Sequence, residues 1–121
     1  MLTKIYRTRY VLAVQNLALS VQYYQEKLGF TTDWTVGGWH QLSRDVCTVM
    51  LGECTDDRSA FELRNHSYFA YIDVEGIDAL FEELQARGVE MMSMPTSQPW
   101  GQREFGIRTI DGHRVMFGEP L

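Results

Sequence analysis

The chain has 121 residues, of which 45% are apolar, and its formal net charge is −5 at pH 7. This length predicts a single domain over residues 1–121, and the composition is typical of a globular protein. The acidic balance and the lack of a lysine- or arginine-rich run argue against nucleic acid and anionic membranes as partners.

The first half of the chain begins with a strand that leads directly into a helix. Residues 9–15 are apolar and partly β-branched, which is typical of a strand. Asn16 is a suitable N-cap, because its side chain can accept a hydrogen bond from a free backbone N–H of the first turn. Apolar residues at three- and four-residue spacing predict a helix over about 17–28, and Gly29 predicts its end.

The remaining elements repeat this order. Three strand-like runs at 30–36, 39–43 and 46–53 complete the first half, and the charged stretch 54–65 is predicted to be a linker. The second half is predicted to contain a strand at 68–74, a helix from Ile77 to about Arg87, and strands near 89–94, 103–109 and 113–119. Asp111-Gly112 predicts a hairpin turn between the last two strands.

A near-identical pentapeptide closes each half of the chain: Val-Met-Leu-Gly-Glu at 49–53 and Val-Met-Phe-Gly-Glu at 115–119. Together with the repeated order of elements, it predicts an internal duplication. The expected fold is α+β, with two tandem βαβββ modules at about 8–53 and 67–119. Side chains alternate along a strand, so both methionines are expected to face away from the helices.

The sequence also resembles a known superfamily. The resemblance rests on three motifs: Lys27-Leu28-Gly29-Phe30, Asp111-Gly112-His113 and the segment 98–105, which reads Gln-Pro-Trp-Gly-Gln-Arg-Glu-Phe. They resemble the glyoxalase, bleomycin-resistance and extradiol-dioxygenase superfamily, also called vicinal oxygen chelate, and are most similar to its bleomycin-resistance branch. The resemblance implies two curved mixed sheets around a pocket, and usually a homodimer.

Metal-dependent members of that superfamily hold a divalent ion with four side chains on the first and last strands of the two modules. The corresponding positions here are Arg9, Met50, Phe69 and Met116. Divalent ions prefer carboxylate and imidazole ligands, and arginine does not deprotonate, so neither a metal nor another cofactor is expected. Glu53, Glu119 and His66 lie three residues away, on the opposite faces of the strands.

No catalytic residue is predicted either. His40 and His113 are expected to be surface or hydrogen-bonding histidines. Cys47 and Cys54 lack CxxC spacing and are expected to be reduced thiols, with a catalytic cysteine as a minor alternative. The apolar run 11–14 is too short for a signal peptide or a membrane span, so we expect a cytoplasmic protein.

The predicted site is instead a surface for a small-molecule ligand. Met50, Phe69 and Met116 would form an apolar wall with Arg9 as its charge, and Trp34, Trp39 and Trp100 would offer flat surfaces for stacking. Asp33 could hold a cationic group through charge-assisted hydrogen bonds. The structural alternative is that the tryptophans and methionines fill the core.

The expected function follows from this surface and from the resemblance. It is a metal-free binding protein that confers antibiotic resistance by sequestering a planar, cationic, bleomycin-like ligand. One alternative is a metal-dependent lyase, isomerase or dioxygenase of the same superfamily. Another is a metal-independent enzyme that uses Arg9 or Glu104.

Overall fold

The computed structural model describes residue 3 and residues 5–121, without the side chains of residues 64–66. The chain divides into two compact units, one ending at Asp57 and the other beginning at Arg58. Each unit contains one mixed β-sheet and one α-helix. No helix among the described residues is long and apolar enough to cross a membrane.

The first unit has the predicted order of one strand, one helix and three strands. The elements are β1 (Tyr10–Val14), α1 (Leu17–Glu26), β2 (Thr31–Val36), β3 (Trp39–Arg44) and β4 (Cys47–Glu53). The sheet order is β1-β4-β3-β2, in which β1 runs parallel to β4 and the other neighbours are antiparallel. The parallel pair is possible because α1 carries the chain back across the sheet between its strands.

The core of the first unit lies between this sheet and α1. Leu12 and Val14 of β1 are buried, as are Val49 and Leu51 of β4, while the residues between them are more exposed. Tyr24 of α1 is fully buried in this core. The alternation follows from strand geometry, because successive side chains point to opposite faces of the sheet.

The second unit repeats the plan with one difference. Its elements are a 3₁₀ helix (Ala60–His66), β5 (Tyr68–Asp73), α2 (Ile77–Ala86), β6 (Glu90–Met91), β7 (Thr96–Ser97), β8 (Gln102–Arg108) and β9 (Arg114–Pro120). The strand predicted near 89–94 is therefore wrong in extent: two short strands, β6 and β7, both pair with β8. Pro95 lies between them, and proline cannot donate a hydrogen bond to a neighbouring strand.

The sheet of the second unit has the order β5-β9-β8-β6, with β7 also on β8. Its core contains Phe105, Ile107 and Val115 on the side of α2, where the ring of Phe81 meets that of Phe105 at 5.4 Å. The predicted α+β class is confirmed, since both halves form curved mixed sheets with one α-helix each.

The glutamates that end the repeated pentapeptides hold the N-termini of the two helices. Glu53 accepts a hydrogen bond from the backbone N–H of Leu17 at 2.9 Å. Glu119 accepts from the N–H groups of Gly76 and Ile77 at 2.9 and 3.1 Å. The first turn of a helix has free N–H groups and a partial positive charge, so a carboxylate at this place stabilises it. These bonds lower the pKa of Glu119.

Candidate functional site

The face of the first sheet that points away from α1 carries five of the predicted site residues. Val49 and Leu51 are buried on the α1 side, so Met50 between them lies on the other side. Its neighbours across the sheet are Val11 of β1 and Gln41 of β3. We call this surface the Met50 face.

Arg9 is the basic residue at the edge of the Met50 face. Its Nη1 donates to the sulfur of Met50 at 3.7 Å, a weak hydrogen bond to a thioether. The side chain is exposed, so the guanidinium group lies at the solvent boundary of the face.

A β-bulge brings Asp33 and Trp34 onto this face together. The register of β2 against β3 shifts between Thr32 and Trp34, so Asp33 is the additional residue. The carboxylate of Asp33 accepts hydrogen bonds from Gln41 Nε2 at 3.1 Å and from Ser43 Oγ at 2.9 Å. Both donors alternate with the buried Leu42, so they lie on the Met50 face.

Trp39 lies flat across the glycine of the first pentapeptide. Gly52 is opposite Trp39 in the sheet, and a Cβ added to it would lie 2.8 Å from two atoms of the indole ring. Any side chain at position 52 would push the ring away. The indole is 44% exposed, so it presents one side to solvent rather than filling the core.

Gln41 is a residue that the sequence analysis missed. It is 5% exposed on the Met50 face, its Nε2 bonds to Asp33, and its Oε1 is buried without a hydrogen-bond partner in the described part of the chain. A buried acceptor without a partner is costly and often marks a place where a ligand or water binds. The available signal was the alternation of Trp39, Gln41 and Ser43 along β3.

The equivalent face of the second sheet carries Met116, and we call it the Met116 face. Met116 is paired with Tyr71 on one side and with Gly106 on the other. Its sulfur lies over Gly106, where an added Cβ would be 2.8 Å away. Glu104 is on the same face and accepts a hydrogen bond from the hydroxyl of Tyr71 at 2.7 Å.

Phe69 was predicted to belong to the apolar wall with Met116, and it lies at an irregularity of β5. The pairing of β5 with β9 shifts between Tyr68 and Ala70, so Phe69 is the additional residue of a second bulge. Its ring meets the edge of the His113 ring at 5.8 Å between centroids. His113 is half-buried, and burial lowers its pKa.

Trp100 lies in the turn that precedes β8 and is 64% exposed. It is in the same unit as Met116 but outside the paired strands, whereas Met116 is in the centre of the sheet. His40 belongs to the α1 side of the first sheet, where its Nε2 is 2.8 Å from Thr32 Oγ1, so the expectation of a hydrogen-bonding histidine is confirmed.

The positions that metal-dependent relatives use do not offer a suitable donor set here. Met50 and Met116 provide thioethers, and the side chain next to Met50 is a guanidinium group, while hard and borderline divalent ions prefer oxygen and imidazole ligands. Glu53 and Glu119 are bound to the helix N-termini on the opposite faces. The side chain of His66 lies outside the described residues. Within the described ones, no three His, Cys, Asp or Glu side chains are grouped to hold a metal ion.

Sequence comparison identifies the family of this chain. Residues 7–117 match the family model described as the Glyoxalase/Bleomycin resistance protein/Dioxygenase superfamily. The chain belongs to this superfamily. A search of curated proteins gave no match to this superfamily member.

Solved structures of similar fold include both antibiotic-binding proteins and an enzyme-related protein. The bleomycin-binding protein of Streptomyces verticillus, solved with copper(II)-bleomycin, has a TM-score of 0.75 and 24% identity over 96% of this chain and 97% of its own. An antibiotic-binding protein from a Streptomyces species has a TM-score of 0.79 and 19% identity over 100% of both chains. A glyoxalase-related enzyme from Clostridium phytofermentans has a TM-score of 0.78 and 22% identity over 98% of both. At these identities the structural similarity establishes only the fold of this superfamily member and not its function.

Proposed function

We propose that this chain is a metal-independent binding protein that sequesters a planar, cationic, bleomycin-like antibiotic. The observation that carries the proposal is the combination of Asp33, Trp34 and Trp39 on the Met50 face. A carboxylate on the same sheet face as two indole rings suits a ligand that has both a flat aromatic part and a positive charge.

The chemistry of the individual groups supports this ligand class. Asp33 accepts two hydrogen bonds from neutral donors, so its negative charge remains available to a cation. The unpartnered Oε1 of Gln41 could accept a further hydrogen bond from the same ligand. Met50 adds a polarizable sulfur against which an aromatic ring packs favourably.

Two of the similar structures support a ligand-binding role, since they are a bleomycin-binding protein and an antibiotic-binding protein. The remaining predicted residues, Phe69, Trp100 and Met116, all belong to the second unit. They are also candidates for ligand contact. The support is weakest for Phe69, because its ring packs against that of His113. We also propose a homodimer, as the superfamily resemblance implies.

Titration of the purified protein with metal-free bleomycin tests the proposal. Tryptophan fluorescence should change in a saturable manner at micromolar ligand. Asp33→Asn should weaken binding about 10-fold or more, because a hydrogen bond to a charged group contributes about 1.5–3 kcal/mol. Asp56→Asn is the matched control, since it makes the same charge change at an exposed residue of the same unit.

Four results would contradict parts of the proposal. No saturable fluorescence change with bleomycin would exclude the bleomycin-like ligand. Equal bleomycin affinities of the Asp33 and Asp56 variants would exclude the Met50 face as the binding site. Stoichiometric nickel, zinc, iron or manganese in protein purified without chelator would favour the metalloenzyme alternative. Light scattering at micromolar protein would decide between a homodimer and a monomer.

A further inference from the structure

Glu104 is a charged residue buried on the Met116 face. The residue is 7% exposed, although it is its strand neighbour Phe105 that lies in the core on the α2 side. Gly118 is directly opposite on β9, and Gly106 follows two residues along β8 on the same face. These two strand neighbours of Glu104 on its own face have no side chains, so other side chains can lie over the backbone beside it.

The hydrogen-bond partner of Glu104 is neutral. The hydroxyl of Tyr71 donates to Oε2 at 2.7 Å. Burial of the hydroxyl and this hydrogen bond raise the pKa of Tyr71 to about 12, so the phenol keeps its proton at neutral pH. It can donate to the carboxylate but cannot neutralise it.

In the described part of the chain, no cation compensates Glu104. No lysine or arginine whose side chain is described lies within salt-bridge distance of its carboxylate. Arg103 is adjacent in sequence but points to the other face, where it binds Asp78 at 2.8 Å. The second oxygen, Oε1, accepts no hydrogen bond from a described residue, and it is not among the buried atoms that lack a partner, so solvent reaches it. An accessible carboxylate oxygen on a largely buried residue, with one neutral donor on the other oxygen, is available to a cationic group supplied from outside.

The surroundings limit what this partner can be. The ring of Tyr71 lies across Gly118, where an added Cβ would collide with it, and the sulfur of Met116 lies over Gly106. The carboxylate is thus next to an aromatic ring and close to a thioether, both of which favour a flat, polarizable group. Tyr71 is partly exposed, so the pair is reachable from solvent.

We propose that Glu104 and Tyr71 form a cation-recognition site for a protonated amine or amidine attached to an aromatic ring. The cation donates a charge-assisted hydrogen bond to Oε1 of Glu104 and packs against the ring of Tyr71, while Tyr71 holds Oε2 in place. This site is in the second unit and uses none of the residues proposed for the Met50 face. It does not require that the ligand be an antibiotic.

Benzamidine and benzamide provide a matched pair of probes, because they have nearly the same shape and only benzamidine is charged. Their binding can be followed by the backbone amide NMR signals of Gly106 and Gly118. We expect saturable shifts with benzamidine and at least 10-fold weaker binding of benzamide. Glu104→Gln should weaken benzamidine binding at least 10-fold, and Tyr71→Phe several-fold. The control Glu82→Gln, at an exposed residue of α2, should bind as the wild type does.

Equal binding of the two probes by the wild type would overturn the proposal, as would equal benzamidine affinity of the Glu104 and Glu82 variants. If Glu104→Gln does not fold, the two probes on the wild type and on Tyr71→Phe decide the question. The result is separable from the bleomycin titration. Glu104-dependent binding of benzamidine without any bleomycin binding would support this site and exclude the proposed function. Bleomycin binding without Glu104-dependent benzamidine binding would support the proposed function and exclude this site.

Discussion

Replacing Gly118 with alanine should destabilise the second unit by displacing Tyr71. A Cβ at position 118 would lie 2.6 Å from Cζ and 2.9 Å from Cε1 of Tyr71. Non-bonded carbons are at their best separation at about 3.5–4.0 Å, so the overlap is close to 1 Å. Backbone atoms fix the new Cβ, and therefore the tyrosine ring has to move away from the sheet. Its hydroxyl then loses the hydrogen bond to Glu104.

The expected loss in the free energy of unfolding is about 2–4 kcal/mol. A hydrogen bond to a charged group contributes about 1.5–3 kcal/mol, and overpacking costs about 1–3 kcal/mol. The lower chain entropy of alanine in the unfolded state offsets about 0.4–1 kcal/mol of this loss. For a chain of 121 residues, the melting temperature should fall by roughly 10 °C.

Urea unfolding of four proteins tests this reasoning: the wild type, Gly118→Ala, Tyr71→Phe and the double variant. Because Gly118→Ala already breaks the hydrogen bond, Tyr71→Phe should cost less in that background than in the wild type. Gly38→Ala is the control, since its Cβ would meet no atom within 4 Å, and it should change stability by less than about 1 kcal/mol. Wild-type stability of Gly118→Ala, or strictly additive costs in the double variant, would refute the displacement of Tyr71.

Two further predictions concern the helix N-termini. Asn16→Ala should lower the stability of the first unit by about 1 kcal/mol in urea unfolding, because the Asn16 side chain accepts a hydrogen bond from the Leu19 N–H at 3.1 Å. An unchanged stability would contradict a stabilising N-cap at Asn16. Glu119→Gln should lower the melting temperature at neutral pH. Since the Gly76 and Ile77 N–H groups lower the pKa of Glu119, the advantage of the wild type should be complete above the unfolded carboxyl pKa of about 4.3. This advantage should disappear as the pH falls through the lower folded-state pKa of Glu119. Melting curves of both proteins between pH 7 and 3 test this, and a difference in melting temperature that stays constant over this range would contradict it.

The sequence was a good guide wherever the signal was periodic. The helix after Asn16 begins at Leu17 as expected, and its N-cap bond is present, because capping depends on neighbouring residues alone. The burial of Val49 and Leu51, with Met50 on the other face, follows from strand alternation and needs no knowledge of the tertiary fold. These are local properties, which sequence determines directly.

The sequence was a poor guide where the strands contain irregularities. The bulges at Asp33 and Phe69 each insert one residue into the pairing, and neither leaves a mark such as glycine or proline. The first bulge puts Asp33 on the face of Trp34, which alternation alone would forbid. The second removes Phe69 from regular pairing and leaves Tyr71 opposite Met116. Gln41 was missed because its burial depends on contacts across the sheet.

Four of the five positions of the repeated pentapeptide have a structural role that the structure shows in both units. Valine and leucine or phenylalanine enter the cores, and the final glutamate, which shares their face, reaches the N-terminus of the helix of its own unit. The glycine has no side chain on the opposite face of the sheet, so an aromatic ring can pack directly against its backbone. This ring comes from different strands in the two units: Trp39 of β3 lies on Gly52, whereas Tyr71 of β5 lies on Gly118.

This difference separates the chemistry of the two faces. Among the described residues, the indole of Trp39 donates no hydrogen bond to a carboxylate, and Asp33 accepts from Gln41 and Ser43 instead. The phenol of Tyr71 binds the buried Glu104 directly. The two units thus share the same order of elements and a glycine covered by an aromatic ring, but only in the second unit does that aromatic residue bind the acidic group of the face. A substitution at Gly52 should therefore disturb the Met50 face without altering the Glu104–Tyr71 pair, and one at Gly118 should do the reverse.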